Sequence, residues 1–303
     1  MSFDGIDEVV LPADDIRPLA RLYAELFGFG EIGGGPVSPS FGRLWGLPLP
    51  PTRDVLLGKP GAAGGAIRLV EVPGLPPAAA PGPPDRIGPY ALDFFLRDAV
   101  RTERHLESHG VVFRTEAAGY LLPGTDIPVH ERIFDQPVSG LIHATIQHRP
   151  FGTRCVLDSE PFEVSECVAL IAVTDDPAGA AAFATGVLGA RRYFAGNFAG
   201  ADVMRMLQLH PADHLPIQLF RGPASRNARL EFATRRGPGR TADPVPRAIA
   251  TCRVSDIDAI GALLRDGRHG RSTGVITINQ DDQPTRRLCV QSRYGLVFDL
   301  VER

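Results

Sequence analysis

One pattern recurs four times along these 303 residues: an apolar strand, an aspartate, a helix-spaced segment and a glycine. Any fold for the chain has to accommodate four copies of it. Residues 6–30, IDEVVLPADDIRPLARLYAELFGFG, are the clearest copy. Val9, Leu11 and Ala13 alternate as on a half-buried strand. Asp14 and Asp15 supply an N-cap, and Ile16, Leu19, Tyr23, Leu26 and Phe27 follow at helical spacing. Gly28 stands where a left-handed C-cap is wanted. Residues 167–190, CVALIAVTDDPAGAAAFATGVLGA, repeat the pattern, with thirteen residues from Asp176 to Gly189 as from Asp15 to Gly28. Residues 90–110 and 248–267 repeat it again, with Asp98 and Asp256 as caps. The aspartates 15, 98, 176 and 256 are thus about 80 residues apart.

Each copy continues into short apolar strands. The first unit offers 54–57 and 66–72, the second 111–115, 131–134 and 141–147. The third offers 190–195, 202–209 and 216–220, and the fourth 274–279, 286–291 and 296–301. The unit is βαβββ, and four of them fill the chain. Pro/Gly-rich stretches at 72–89 and 235–247 read as extended linkers, and 149–164 as an ordinary crossing between halves. Residues 33–51 form a long loop inside the first unit. Phe41 and Trp45 on it serve either as a lid or as a core cover.

The formal net charge of -3 and the scattered arginines exclude the basic footprint of a nucleic-acid binder. No apolar run reaches the roughly 18 residues of a membrane span, and MSFDGIDEVV lacks a signal-peptide pattern. Cysteines 155, 167, 252 and 289 lie far apart, without finger spacing, and read as buried free thiols of a cytoplasmic protein.

The openings EVVLPADDIRPLARLYAELFGF and VALIAVTDDPAGAAAFATGVLGA, with LDFFLRDAV and the closing YGLVFDLVE, resemble the vicinal-oxygen-chelate superfamily. That group includes glyoxalases, bleomycin-resistance proteins and extradiol dioxygenases. The resemblance implies an α+β fold of four βαβββ units paired into two tandem domains, 1–148 (units 1 and 2) and 165–303 (units 3 and 4). Each domain would curl its sheet around a cavity for a small-molecule ligand. No nucleic-acid or membrane partner is expected, and an oligomer is possible but not required, because four units can form both cavities within one chain. The resemblance leaves the reaction and the catalytic residues unassigned.

In metal-dependent members of the superfamily, ligands come from the first and last strands of each unit. The first-strand position falls on Glu8, Ala91, Ala169 (or Val168) and Ile249, with Asp93 on the same face as Ala91. The last-strand position falls on Ala144 beside His143, on Asp299, on Gln218, and on Arg68 or Glu71. Glu8, Asp93 and His143 would make a mixed donor set for zinc, manganese or nickel, with iron as a further candidate. A metal-free site is the standing alternative, since most expected positions carry aliphatic residues. Asp93, Gln218, Arg253, Tyr294 and Asp299 are the candidates for holding a substrate. Asp93 needs a partner if buried, with Arg68, Arg97 or a ligand available. The expected function is an enzyme acting on a small oxygenated metabolite, aromatic ones included, by isomerase, lyase or dioxygenase-like chemistry. The alternative is a metal-free binding or resistance protein of the same fold.

Overall fold

The computed structural model describes residues 3–122, 124–149, 151, 155–223, 228–236, 242–280 and 283–303. The four units are all present. Unit 1 runs β1 (Glu8–Ala13), α1 (Arg17–Ala20, continuing as a π-helical turn over Arg21–Leu26), β2 (Gly30–Pro36), α2 (Ser40–Trp45), β3 (Arg53–Gly58) and β4 (Ala66–Glu71). Unit 2 runs β5 (Gly88–Leu96), α3 (Ala99–Ser108), β6 (Ala118–Leu121), β7 (Pro128–Gln136) and β8 (Leu141–Gln147). Unit 3 runs β9 (Val164–Thr174), α4 (Pro177–Ala182), β10 (Arg191–Ala199), α5 (Ala201–Met206), β11 (His214–Arg221) and β12 (Arg229–Thr234). Unit 4 runs β13 (Ile249–Val254), α6 (Ile257–Leu263), β14 (Gly270–Gln280), β15 (Gln283–Ser292) and β16 (Val297–Glu302).

Three of the four aspartates cap as expected. Asp98, Asp176 and Asp256 accept from the amides of Arg101, Gly179 and Ala259 at 2.9–3.0 Å. In unit 1 the N-cap is instead Ile16, and Asp15 binds the amide and guanidinium of Arg17. Asp14 accepts from the Gly74 amide, 2.6 Å away, and so ties β1 to the linker that follows β4.

The strands form two eight-stranded sheets, β14-β15-β16-β13-β1-β4-β3-β2 and β10-β11-β12-β9-β5-β8-β7-β6. Units 1 and 2 therefore do not share a sheet, nor do units 3 and 4: unit 1 pairs with unit 4, and unit 2 with unit 3. Residues 1–148 and 165–303 each give one unit to each sheet, which corrects the expected pairing. The reason lies in the unit itself. Its first and last strands are parallel neighbours, as in β1 and β4, which leaves the outer edge of the first strand open. A second unit closes that edge antiparallel, β1 on β13 and β5 on β9. The chain changes sheet across 72–89 and 235–247, its two Pro/Gly-rich linkers, and stays in one sheet across 149–164. Residues 237–241, 150 and 152–154 of these segments lie outside the described residues.

Three strands differ from expectation. Residues 202–209 contain the helix α5, whose Val203 and Met206 are buried. Within 111–115 there is only a single bridge, Phe113 to Phe134. The last strand of unit 3 is β12, not 216–220. The 33–51 segment begins within β2, where Gly34 has φ +136° and an added Cβ would stand 2.7 Å from the Asp54 carbonyl.

Both sheets turn one face to a single core, shared by Leu11, Phe94, Phe183, Leu230 and Phe298. The opposite faces are curled around separate cavities. In the units 2/3 sheet the curl brings Tyr120 of β6 and Phe198 of β10 into edge contact at 5.6 Å, although these strands are the two sheet edges. All four cysteines are free and buried. Among the described residues no helix is long and apolar enough to cross a membrane.

The cross-pairing predicts the behaviour of fragments. Residues 1–148 and 165–303 made separately should exchange the amides of β1 and β13 rapidly, and mixing should restore their protection. Full protection of β1 in isolated 1–148, read by hydrogen-exchange mass spectrometry, would contradict it.

Candidate functional site

Strand alternation decides what faces the units 2/3 cavity. In β5, Ala91, Asp93 and Phe95 share one face, and Asp93 stands opposite Ala144 of β8 and Ala169 of β9. Arg229 and Glu231 of β12 align with Ala169 and Ile171. Glu131 of β7 and Tyr120 of β6 complete the polar end. The walls are apolar, with Ile142, Ile146, Ile171, Met206 and Leu215. Ala91 and Ala144, two of the expected ligand positions, form the cavity floor, where their small side chains leave room.

The polar end holds three carboxylates against one guanidinium. Arg229 lies 3.7 Å from Asp93 and over the Phe95 ring. Burial pushes Asp93 up to about 6, with Arg229 opposing. Burial, with the Asp93 charge adding to it, pushes Glu131 and Glu231 up to about 8. Burial thus favours the protonated form of Glu131 and Glu231, while Arg229 favours the ionised form of Asp93. The Tyr120 hydroxyl donates to Glu131. Glu231 is 6% exposed and makes no hydrogen bond or ion pair with the described residues.

The units 1/4 cavity, about 380 Å³, is built differently. Glu8 faces it from β1, but Arg68 of β4 donates to Glu8 from Nε at 2.7 Å and from a terminal nitrogen at 3.3 Å. The same guanidinium also bonds Asp54. Asp299 lies fully buried, accepting from Trp45 Nε1 at 2.9 Å and Arg287 at 2.6 Å. Burial raises its pKa, with Arg287 opposing. Phe41 and Trp45 line this cavity and are core residues at once.

The other sequence candidates fall elsewhere. His143 is in the shared core, stacked on Phe94, with Nε2 hydrogen-bonded at 2.6 Å to the Tyr23 hydroxyl of unit 1. Burial pushes it down to about 3. It sits one residue from Ala144 and so on the opposite face of β8, and Glu8 is in the other sheet. Glu8 and His143 therefore cannot share an ion. Gln218 is bonded to Arg192 and to the Pro177 carbonyl, outside both cavities. Arg253 is exposed at the end of β13. Tyr294 is buried against Phe183, bonded to His269 Nδ1 at 2.9 Å. The partner of Asp93 is Arg229, since Arg68 lies in the other sheet and Arg97 binds the carbonyls of 157–162.

Neither cavity fits a divalent ion. Glu8 has both oxygens engaged by a guanidinium, and Arg287 adds a second cation to the same cavity. The units 2/3 acids surround Arg229, a cation already in place among them. Among the described residues no three His, Cys, Asp or Glu side chains come together as a metal-ligand group.

Arg229, Glu231, Glu131 and Tyr120 escaped the sequence reading. The signal was present: Leu230 and Phe232 alternate with Arg229 and Glu231. Arg229 also stands 53 residues after Asp176, as Arg68 does after Asp15.

This architecture is the vicinal-oxygen-chelate fold: four βαβββ units in two curled eight-stranded sheets. Solved structures bear this out. A Bacillus subtilis protein provisionally described as a dioxygenase matches with a TM-score of 0.64 at 14% identity, over 99% of this chain and 86% of that one. Glyoxalase I from Zea mays matches with a TM-score of 0.60 at 12% identity, over 99% and 92%. Likeness at such identity establishes the fold alone. No family model and no curated protein matches the sequence.

Two outcomes test the electrostatics. A buried carboxyl raised from 4.5 to about 8 keeps in the folded chain a proton that the unfolded chain has lost, so stability falls as pH rises between those values. Glu231→Gln should match the wild type in melting temperature near pH 4 and exceed it at pH 8.5. A lower melting temperature at pH 8.5 would show that Glu231 is paired. Arg68→Met leaves Glu8 and Asp54 without their cation and should cost about 3–5 kcal/mol in urea unfolding.

Proposed function

We propose that the chain acts on one small, largely apolar, oxygen-bearing molecule in the units 2/3 cavity, by proton transfer of the isomerase or lyase kind. The observation that carries this reading is the convergence of Asp93, Glu131, Glu231 and Tyr120 at one end of an apolar cavity, with acidities pushed apart. Groups separated in this way divide the labour: the ionised one accepts a proton and the neutral ones donate. Ile142, Ile146 and Met206 hold the body of the molecule. Protonated Glu131, braced by the Tyr120 hydroxyl, donates a hydrogen bond to its oxygen. Asp93, held ionised by Arg229, takes a proton from the carbon or hydroxyl beside that oxygen. Negative charge developing on the oxygen is thereby met by a preplaced donor in a dry site. The units 1/4 cavity offers no such division, because its carboxylates are held by arginines.

Runner-up is sequestration without chemistry, which the wholly apolar walls favour. Deuterium uptake separates the two. In D2O, a panel of aryl ketones and aryl hydroxyketones should include at least one member whose α-proton exchanges faster with the protein, followed by NMR. Exchange should fall below pH 6 and above pH 8, and drop by about a hundredfold in Asp93→Asn. Tight retention of a panel member without exchange at any pH would favour sequestration.

A further inference from the structure

At the polar end of the units 2/3 cavity one acid has no partner of its own among the described residues. Arg229 compensates Asp93, at 3.7 Å. Glu131 has the Tyr120 hydroxyl. Glu231 has neither a hydrogen bond nor an ion pair among the described residues, although it is 94% buried and lines the cavity. A buried carboxyl in an apolar wall is costly unless something pairs with it. The aromatic rings of Tyr90, Phe95, Tyr120 and Phe198 line the same space. Rings and a spare carboxylate together suit a cation carried on an apolar frame.

Resting on the reading that this cavity is the working one, we infer that its ligand carries a basic nitrogen, held as an ammonium by Glu231. The oxygen of the ligand lies towards Glu131 and Tyr120, and the nitrogen towards β12. A neutral molecule leaves Glu231 protonated. An ammonium displaces that proton to solvent: the ligand N–H bonds to the carboxylate, and one proton leaves the site per ligand bound. The ionisable groups facing Glu231 are Asp93 from β5, Glu131 from β7, Arg229 from β12, Tyr120 from β6 and His148 after β8. Asp93 and Glu131 oppose ionisation of Glu231 and Arg229 favours it, so an added cation tips the balance.

Two probes of one shape test this, 1-naphthylmethylamine and 1-naphthylmethanol, titrated calorimetrically into the full chain at pH 6 and pH 8. The amine should bind roughly tenfold tighter than the alcohol at pH 8, the size of one desolvated charge pair. Its advantage should shrink at pH 6, where the carboxyl holds its proton more firmly. The heat should vary with the ionisation enthalpy of the buffer, reporting proton release. Glu231→Gln should reduce the amine to the level of the alcohol, with the melting temperature confirming a folded chain. Equal binding of the two probes, or a preference that survives Glu231→Gln, overturns recognition of the ammonium while leaving the cavity reading intact. Binding of neither probe overturns both.

Discussion

Two antiparallel joints organise the molecule, β1 on β13 and β5 on β9. Each βαβββ unit presents the bare backbone edge of its first strand, and a long open edge invites pairing with whatever is nearby. Sealing that edge with another unit fixes the sheet and, in the same act, makes the cavity. No cavity belongs to one unit. Asp93 stands at the joint itself, opposite Ala169, so its environment is contributed equally by residues near 93 and near 229. The working residues are therefore far apart in sequence and must be, because the fold builds its pockets only from pairs of units.

On this common frame the two cavities solve one electrostatic problem in opposite ways. Around units 1 and 4, Glu8 and Asp54 clasp Arg68, and Asp299 holds Arg287 and the indole of Trp45. Charge meets charge, and the acids are spent on structure. Around units 2 and 3 a single arginine faces three acids, so protonation has to do what cations do elsewhere. Protons that are held by burial can be exchanged with a ligand. A guanidinium locked between two carboxylates offers no comparable exchange, since parting it from them leaves buried charges without partners.

The sequence displayed its repeat because local forces write it: capping aspartates, strand alternation and terminal glycines all act within a dozen residues. Asp98, Asp176 and Asp256 cap as their positions announce. Which unit pairs with which is settled by packing between units, and no local signal carries that, except that the two sheet-crossing linkers are the Pro/Gly-rich ones. The candidate site was half legible. Asp93 stood out as a carboxylate in an apolar strand, but its partner Arg229 follows a segment whose strand was placed a dozen residues too early. That error put Gln218 where Glu231 belongs. His143 shows the other limit, since a shift of one residue along β8 exchanges cavity for core.

The core position of His143 also bears on how the cavity holds its shape. Its ring is stacked on Phe94 and hydrogen-bonded to Tyr23, so the helical segment of unit 1 is anchored to a strand of the other sheet. The residues on either side of that histidine in β8, Ile142 and Ala144, line the units 2/3 cavity. Burial keeps the imidazole neutral, which suits a bridge between apolar layers, where an imidazolium would need a counter-charge. The two sheets are thus locked back to back at a point directly beneath the cavity floor. Among the described residues unit 1 contributes nothing to the lining of that cavity, yet its Tyr23 helps hold the wall against which a ligand would press.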